Sequence, residues 1–131
     1  MGRVIFDSGL LIEAERGGTD PFDLASVEDD IAIAAITIAE LLHGVERADA
    51  RRRAIRQEWV ESIVLHIPVE PYDLETARVH ARLMAESGRV GRTRGAHDLI
   101  IAATAVVHDR VVVTKDKGFA ELPGVQVRLV G

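Results

Sequence analysis

Four carboxylates stand where hydrophobic runs of this chain give way to something else. They are Asp7 in VIFDSGLLIE, Glu40 in ITIAELLHG, Asp98 in GAHDLIIAATA and Asp116 in VVVTKDKGF. Apolar neighbours tie each acid to a buried element, so none belongs to a solvated run of charge. Four acids gathered in one place repel one another, and a hard divalent cation is the usual reason a fold tolerates this. Oxygen-only ligands select Mg²⁺ or Mn²⁺ rather than zinc. Such ions grip phosphates, lower the pKa of a water and stabilise a leaving oxygen. If the four converge, the chemistry they predict is metal-dependent phosphodiester cleavage. The hydroxyls of Ser8, Thr37 and Thr114 lie where they can hold those carboxylates in place.

Each acid also has a plain structural reading. Asp7 follows the first strand and can cap the next helix. Thr37-x-x-Glu40 fits a capping box, in which Glu40 reaches back to the Thr37 amide. Asp98 heads a helix and complements its dipole. Asp116-Lys117-Gly118 is a turn signal. The joint pattern favours one site, because all four fall at strand-to-helix or strand-to-turn junctions on one edge of the expected sheet. That edge, at the carboxyl ends of the strands, is where open α/β sheets place their ligands. Asp98 is the hardest to explain otherwise, since a carboxylate beside LIIAATA needs a partner. His97 reads as a local hydrogen-bonder, with no second His at ligand spacing.

Strands and helices alternate along the chain. Strands are expected at residues 3–6, 31–36, 64–69, 111–114 and 125–130. The run 31–36 is apolar throughout, as in a strand covered on both faces, and Pro68 puts the 64–69 strand at an edge. Helices are expected at 8–16, stopped by Gly17 and Gly18, and from Pro21 to about Val27. Further helices are expected at 37–44, 48–63, 71–87 (closed by Gly88) and 98–107, the last apolar nearly all round. No repeat or linker divides residues 1–131. The fold class is thus a single α/β domain, a sandwich with a mostly parallel sheet.

Composition narrows the function. At 131 residues the chain makes one domain, 47% hydrophobic with five aromatic residues, so Val, Ile, Leu and Ala build its core. Without cysteine there are no disulfides and no thiolate metal sites. No apolar run approaches the ~20 residues of a membrane span, and no secretory signal opens the sequence, so a cytoplasmic protein is expected. Sixteen basic and 21 acidic residues, a net charge of −5, argue against nucleic-acid binding through a general positive field. A nuclease remains compatible, because the four acids count among the 21 and a bound cation offsets them.

Strand-Asp7-Ser8, then ITIAEL, HDLIIAATA and TKDKGF with LPGV, resembles the PIN-domain ribonucleases, and among them the VapC toxins of bacterial toxin–antitoxin pairs. The match runs the length of the chain, in order, with 33, 58 and 18 residues between successive acids. The Asp98 segment and the closing TKDxxF…LPGV are its most specific parts. The resemblance implies a PIN-like three-layer sandwich, a parallel sheet flanked by helices. It implies Mg²⁺- or Mn²⁺-dependent endoribonuclease cleavage of structured RNA such as tRNA or rRNA, with Asp7, Glu40, Asp98 and Asp116 as metal-binding catalytic residues. The implied partners are a VapB-like antitoxin, whose C-terminal segment blocks the acidic groove, and a second toxin subunit in a homodimer. Ser8-Gly9 departs from the family's usual Thr followed by Ser, Asn or Ala, though Ser8 keeps a hydroxyl beside Asp7. Asp116 keeps an acid where many relatives carry Asn.

Basic residues are locally dense. Arg51, Arg52, Arg53 and Arg56 read first as a solvated helix face. Arg92 and Arg94, just before Asp98, and Lys115 and Lys117, flanking Asp116, are placed to meet an RNA backbone or the antitoxin. An aspartyl-phosphate phosphatase would need a second acid two residues after Asp7, where Gly9 stands. A receiver domain would need an acidic pair near the N-terminus, where Phe6-Asp7 supplies one acid. The remaining alternative is a non-catalytic α/β binding module whose acidic pocket receives an arginine of a partner peptide.

Overall fold

The computed structural model describes residues 2–17, 20–25, 28–89 and 95–131. Five strands, β1 (Arg3–Phe6), β2 (Asp30–Ala34), β3 (Val69–Glu70), β4 (Val111–Thr114) and β5 (Val127–Leu129), form one sheet in the order β3-β2-β1-β4-β5. Every strand pairing in it is parallel. Five helices connect and cover the strands: α1 (Ser8–Gly17), α2 (Ala35–Arg47), α3 (Ala50–His66), α4 (Leu74–Arg89) and α5 (Ala96–Val107).

Alternation along the strands sorts the core into two layers. Val4 and Phe6 of β1, Ile33 of β2 and Val113 of β4 pack with Leu10, Leu41, Val60 and other residues of α1, α2 and α3. Ile5, Ala34 and Val112 face the other way, onto Leu83 of α4 and a row from Leu99 to Ala105 on α5. The apolar runs thus belong to strands covered on both faces, as expected of a parallel sheet. α5 is buried along most of its length, as its composition predicts.

Several expected boundaries move, each for a local reason. Residues 64–66 belong to α3, not to a strand, and β3 keeps only Val69 and Glu70. Val60, Ile63 and Ile67 bury at helical spacing while Val64 and Leu65 face solvent, so period decided over β propensity. The strand expected at 31–36 ends at Ala34, and α2 begins at Ala35. α4 starts at Leu74 and runs through Gly88 to Arg89; Pro71 precedes it, and one glycine in a helix is a cost rather than a stop. The short helix after Asp20 is a single 3-10 turn, Pro21–Leu24; Val27, like Gly18, lies outside the described residues. β5 is three residues, not six.

Asp73 takes the role that Pro71 cannot. Its Oδ1 accepts the Thr76 N–H and the Thr76 hydroxyl, both at 3.0 Å. These bonds hold the Asp73 carboxyl below its ordinary value. A depressed acid stabilises the fold above its unfolded pKa and loses that contribution as pH falls through the folded value. The stability gap between wild type and Asp73→Ala is therefore expected to be full at pH 6 and to close as thermal melts are taken below pH 4. A gap independent of pH would exclude this cap as a charged one.

Candidate active site

The chain order of the strands creates one crevice. After β1 the connections step outward through β2 to β3, and the chain then returns to lay β4 on the other side of β1. The sheet's switch point therefore lies between the carboxyl ends of β1 and β4, the place where open parallel sheets bind ligands. Asp7 is the residue after β1, and Asp116 stands two residues beyond β4.

One buried hydroxyl joins these two ends. Thr114, fully buried, donates from Oγ1 to Asp7 Oδ2 at 2.8 Å and accepts the Asp116 N–H at 2.9 Å. The other Asp7 oxygen faces the Gly9 amide at 3.4 Å. Asp116 Oδ1 accepts the Gly118 N–H at 2.8 Å, so the turn reading of Asp116 holds alongside any role in the site. Asp7, Asp116, Gly9, Leu10, Glu13 and Lys115 line a depression of about 300 Å³.

A second set of hydroxyls positions Glu40. Ser8 Oγ lies 2.9 Å from both Glu40 Oε1 and Thr37 Oγ1. An ionised carboxylate only accepts, so the Ser8 proton points at Glu40 and the Thr37 hydroxyl donates to Ser8. The capping-box reading of Thr37 and Glu40 is corrected here: the helix begins at Ala35 with Ala34 as its cap. Thr37, inside the first turn, spends its hydroxyl across the fold. His97 Nδ1, in the first turn of α5, lies 3.5 Å from Glu40 Oε1. Asp98 is the next residue, and a Cβ on Gly95 would meet its Oδ2 at 3.6 Å, so its carboxylate folds over the start of α5.

Asp7 and Asp116 are thus joined through Thr114, and Glu40 is joined to the residue after Asp7 through Ser8, while Asp98 follows His97, which lies 3.5 Å from Glu40. Among the described residues, no three carboxylates or imidazoles close on a common point at ligand distance. An all-oxygen set of this kind nonetheless suits Mg²⁺, which keeps several waters and takes one or two carboxylates plus substrate phosphates rather than a dedicated cage. Thr114→Val keeps the shape and removes both of the Thr114 bonds. We expect it to weaken Mg²⁺-supported activity about 10- to 100-fold, the usual cost of losing a group that orients a ligand. A kcat/KM within twofold of wild type would show that Thr114 does not position Asp7.

The basic residues divide. Lys115 pairs with Glu13 at 2.5 Å, while Lys117 is exposed at the start of the turn Lys117–Glu121. Arg92 and Arg94 lie outside the described residues. The cluster on α3 is largely the solvated face expected: Arg51, Arg52 and Arg53 are exposed, Arg53 pairing with Glu46 at the surface, while Arg56 is half-buried and pairs with Glu15 at 3.3 Å. Glu13 was invisible to sequence reasoning, since an acid on the exposed side of LLIEAERG carries no motif or junction signal. It enters the site because α1 runs back beside the Lys115 turn.

The arrangement is that of an open parallel α/β domain with Asp7 and Asp116 at its switch point. The family model for the PIN domain matches residues 4–125. The chain is 33% identical to VapC ribonuclease Y4jK of Sinorhizobium fredii, over 95% of this chain and 94% of that protein. It is 35% identical to ribonuclease VapC5 of Mycobacterium tuberculosis, over 92% of this chain and 87% of the relative. Its fold matches the crystal structure of DNA-bound VapBC from Salmonella typhimurium with a TM-score of 0.85, at 26% identity and 98% coverage of both chains. The chain belongs to the PIN-domain family and, within it, to the VapC ribonucleases.

Proposed function

We propose that this VapC ribonuclease cuts structured RNA, such as tRNA or rRNA, with Mg²⁺ or Mn²⁺ held by Asp7, Asp98, Asp116 and Glu40. The observation that carries this reading is the Thr114 bridge at the switch point, which orients Asp7 toward the crevice from the far side of the sheet's central strand pair. When bound, the cation supplies an activated water and neutralises charge on the leaving oxygen. The chain's own residues do the positioning. Thr114 fixes one Asp7 oxygen, Ser8 fixes one Glu40 oxygen, and the Gly118 amide fixes one Asp116 oxygen. Lys115 stands next to Asp116, able to meet a phosphate if it leaves Glu13.

As a toxin the protein requires restraint, and we propose a VapB-like antitoxin that covers this crevice in a complex containing a second copy of the toxin. Action on tRNA or rRNA places it in the cytoplasm; among the described residues, no helix is long and apolar enough to cross a membrane. The test is cleavage of total tRNA and rRNA by the purified protein in Mg²⁺, in Mn²⁺ and in EDTA. Cleavage confined to the metal-containing reactions is expected. Cleavage that persists in EDTA would exclude the acids as a metal site. Failure to cleave any RNA, together with tight binding of an antitoxin-like peptide, would favour the non-catalytic module.

A further inference from the structure

An unassigned cleft opens from the site at Glu40 and His97. It encloses about 260 Å³ between α1, α2 and α3, passing Arg16, Arg47 and Trp59. A shallower trough of about 520 Å³, sharing Arg16 and Arg56 with it, carries the path on to Arg52 and Ile55. Arg56 is committed to the fold: it pairs with Glu15 and donates to the Gly44 carbonyl. The guanidinium groups of Arg16, Arg47 and Arg52 make no hydrogen bond or ion pair among the described residues. Arg56 offsets Glu15 and Glu40 keeps its charge at the mouth, so Arg16, Arg47 and Arg52 leave the walls of cleft and trough net positive in a protein of net charge −5. Guanidinium forks match phosphate oxygens. Trp59, half-buried beside them, is the single tryptophan of the chain, and indole is a stacking platform for an unpaired base.

We infer that this cleft carries the single-stranded stretch of RNA leading to the scissile phosphate, with Arg16, Arg47 and Arg52 on its phosphates and Trp59 against one base. The inference rests on the ribonuclease reading and adds to it a direction: the strand enters along α3 and reaches the acids past Glu40. A strand is favoured over an acidic peptide because the arginines and Trp59 line one path that ends at the acids, and single-stranded loops are what proteins read in structured RNA.

Trp59 makes the test direct. A ten-nucleotide oligouridine titrated onto the metal-free protein is expected to quench the tryptophan fluorescence, with an affinity that falls steeply with salt. Each phosphate contact contributes about 0.7 to the slope of log K against log salt for a single strand. The Arg16→Gln/Arg47→Gln variant should therefore lower that slope by about 1.4. In Mg²⁺ the same variant should raise KM with kcat unchanged, the mark of lost substrate binding. Trp59→Phe should keep KM, and Trp59→Leu, if folded by circular dichroism, should raise it. Cleavage of RNA with an unaltered salt slope and KM in the arginine variant would overturn the cleft assignment and leave the ribonuclease intact. Quenching by an acidic peptide but not by the oligonucleotide would likewise overturn it, in favour of a protein partner. Absence of both cleavage and binding by the wild type would instead remove the ribonuclease reading itself.

Discussion

Asp7→Asn is expected to reduce RNA cleavage by at least about 10²- to 10³-fold, the usual effect of removing one preorganised electrostatic group from an active site. The substitution is chosen for its shape. Asparagine keeps an oxygen that can accept the Thr114 hydroxyl, now 2.8 Å from Asp7 Oδ2, so the bridge between β1 and β4 survives and the change is one of charge. Two results are therefore expected from one variant: activity falls, while the melting temperature in EDTA holds. Mg²⁺ should raise the melting temperature of the wild type more than that of the variant, because a ligand that binds only the folded state stabilises it. Activity within tenfold of wild type would remove Asp7 from the site.

Arg110→Met is expected to cost stability on the order of 3 kcal/mol, because breaking a buried ion pair strands the remaining charge. Arg110 precedes β4 at the amino ends of the strands, away from the acids, and its side chain is 4% exposed. It donates to the carbonyls of Val4 and Asp30 at 3.1 and 2.7 Å and pairs with Glu70 at 3.0 Å. The other Glu70 oxygen meets His108 Nδ1 at 2.8 Å. Arg3 covers Asp30 from outside, at 2.9 Å, so Asp30 keeps a cation when Arg110 is lost. Glu70, far less exposed than Asp30, keeps only the His108 imidazole. The cost should therefore centre on Glu70, and Arg110→Met/Glu70→Gln should recover part of it in urea melts. A loss below about 1 kcal/mol, the range of exposed pairs, would show that the cluster behaves as surface charge. Cleavage by the folded fraction should be unchanged.

Much of the fold was legible because it is written locally. VIF and VVVT are strands in the sequence reading and in the structure, and LIIAATAVV is a buried helix in both. Boundaries failed where two local signals competed. At 64–66, β-branched and apolar residues argued for a strand, yet Val60, Ile63 and Ile67 already carried the helical stripe. At 71–73, Pro71 offered a helix start and Asp73 took it, because only a side-chain oxygen satisfies the first free amides. At 37–40 the capping motif was present in letters and absent in space, since the helix had already begun two residues earlier.

The sequence by itself determined a candidate donor set and its order: four acids at element junctions, oxygen only, with hydroxyls nearby and no thiol anywhere. Tertiary structure decided which hydroxyl serves which acid, and which arginines are without a partner among the described residues. Thr114 reaches Asp7 across 107 positions, and Ser8 reaches Thr37 and Glu40 across 29 and 32. Such contacts exist because parallel strands force long crossovers and the return of β4 beside β1 brings two distant strand ends together. Residue type and local period carry no record of that return, and the cleft beside Trp59 is equally a product of how α1, α2 and α3 pack.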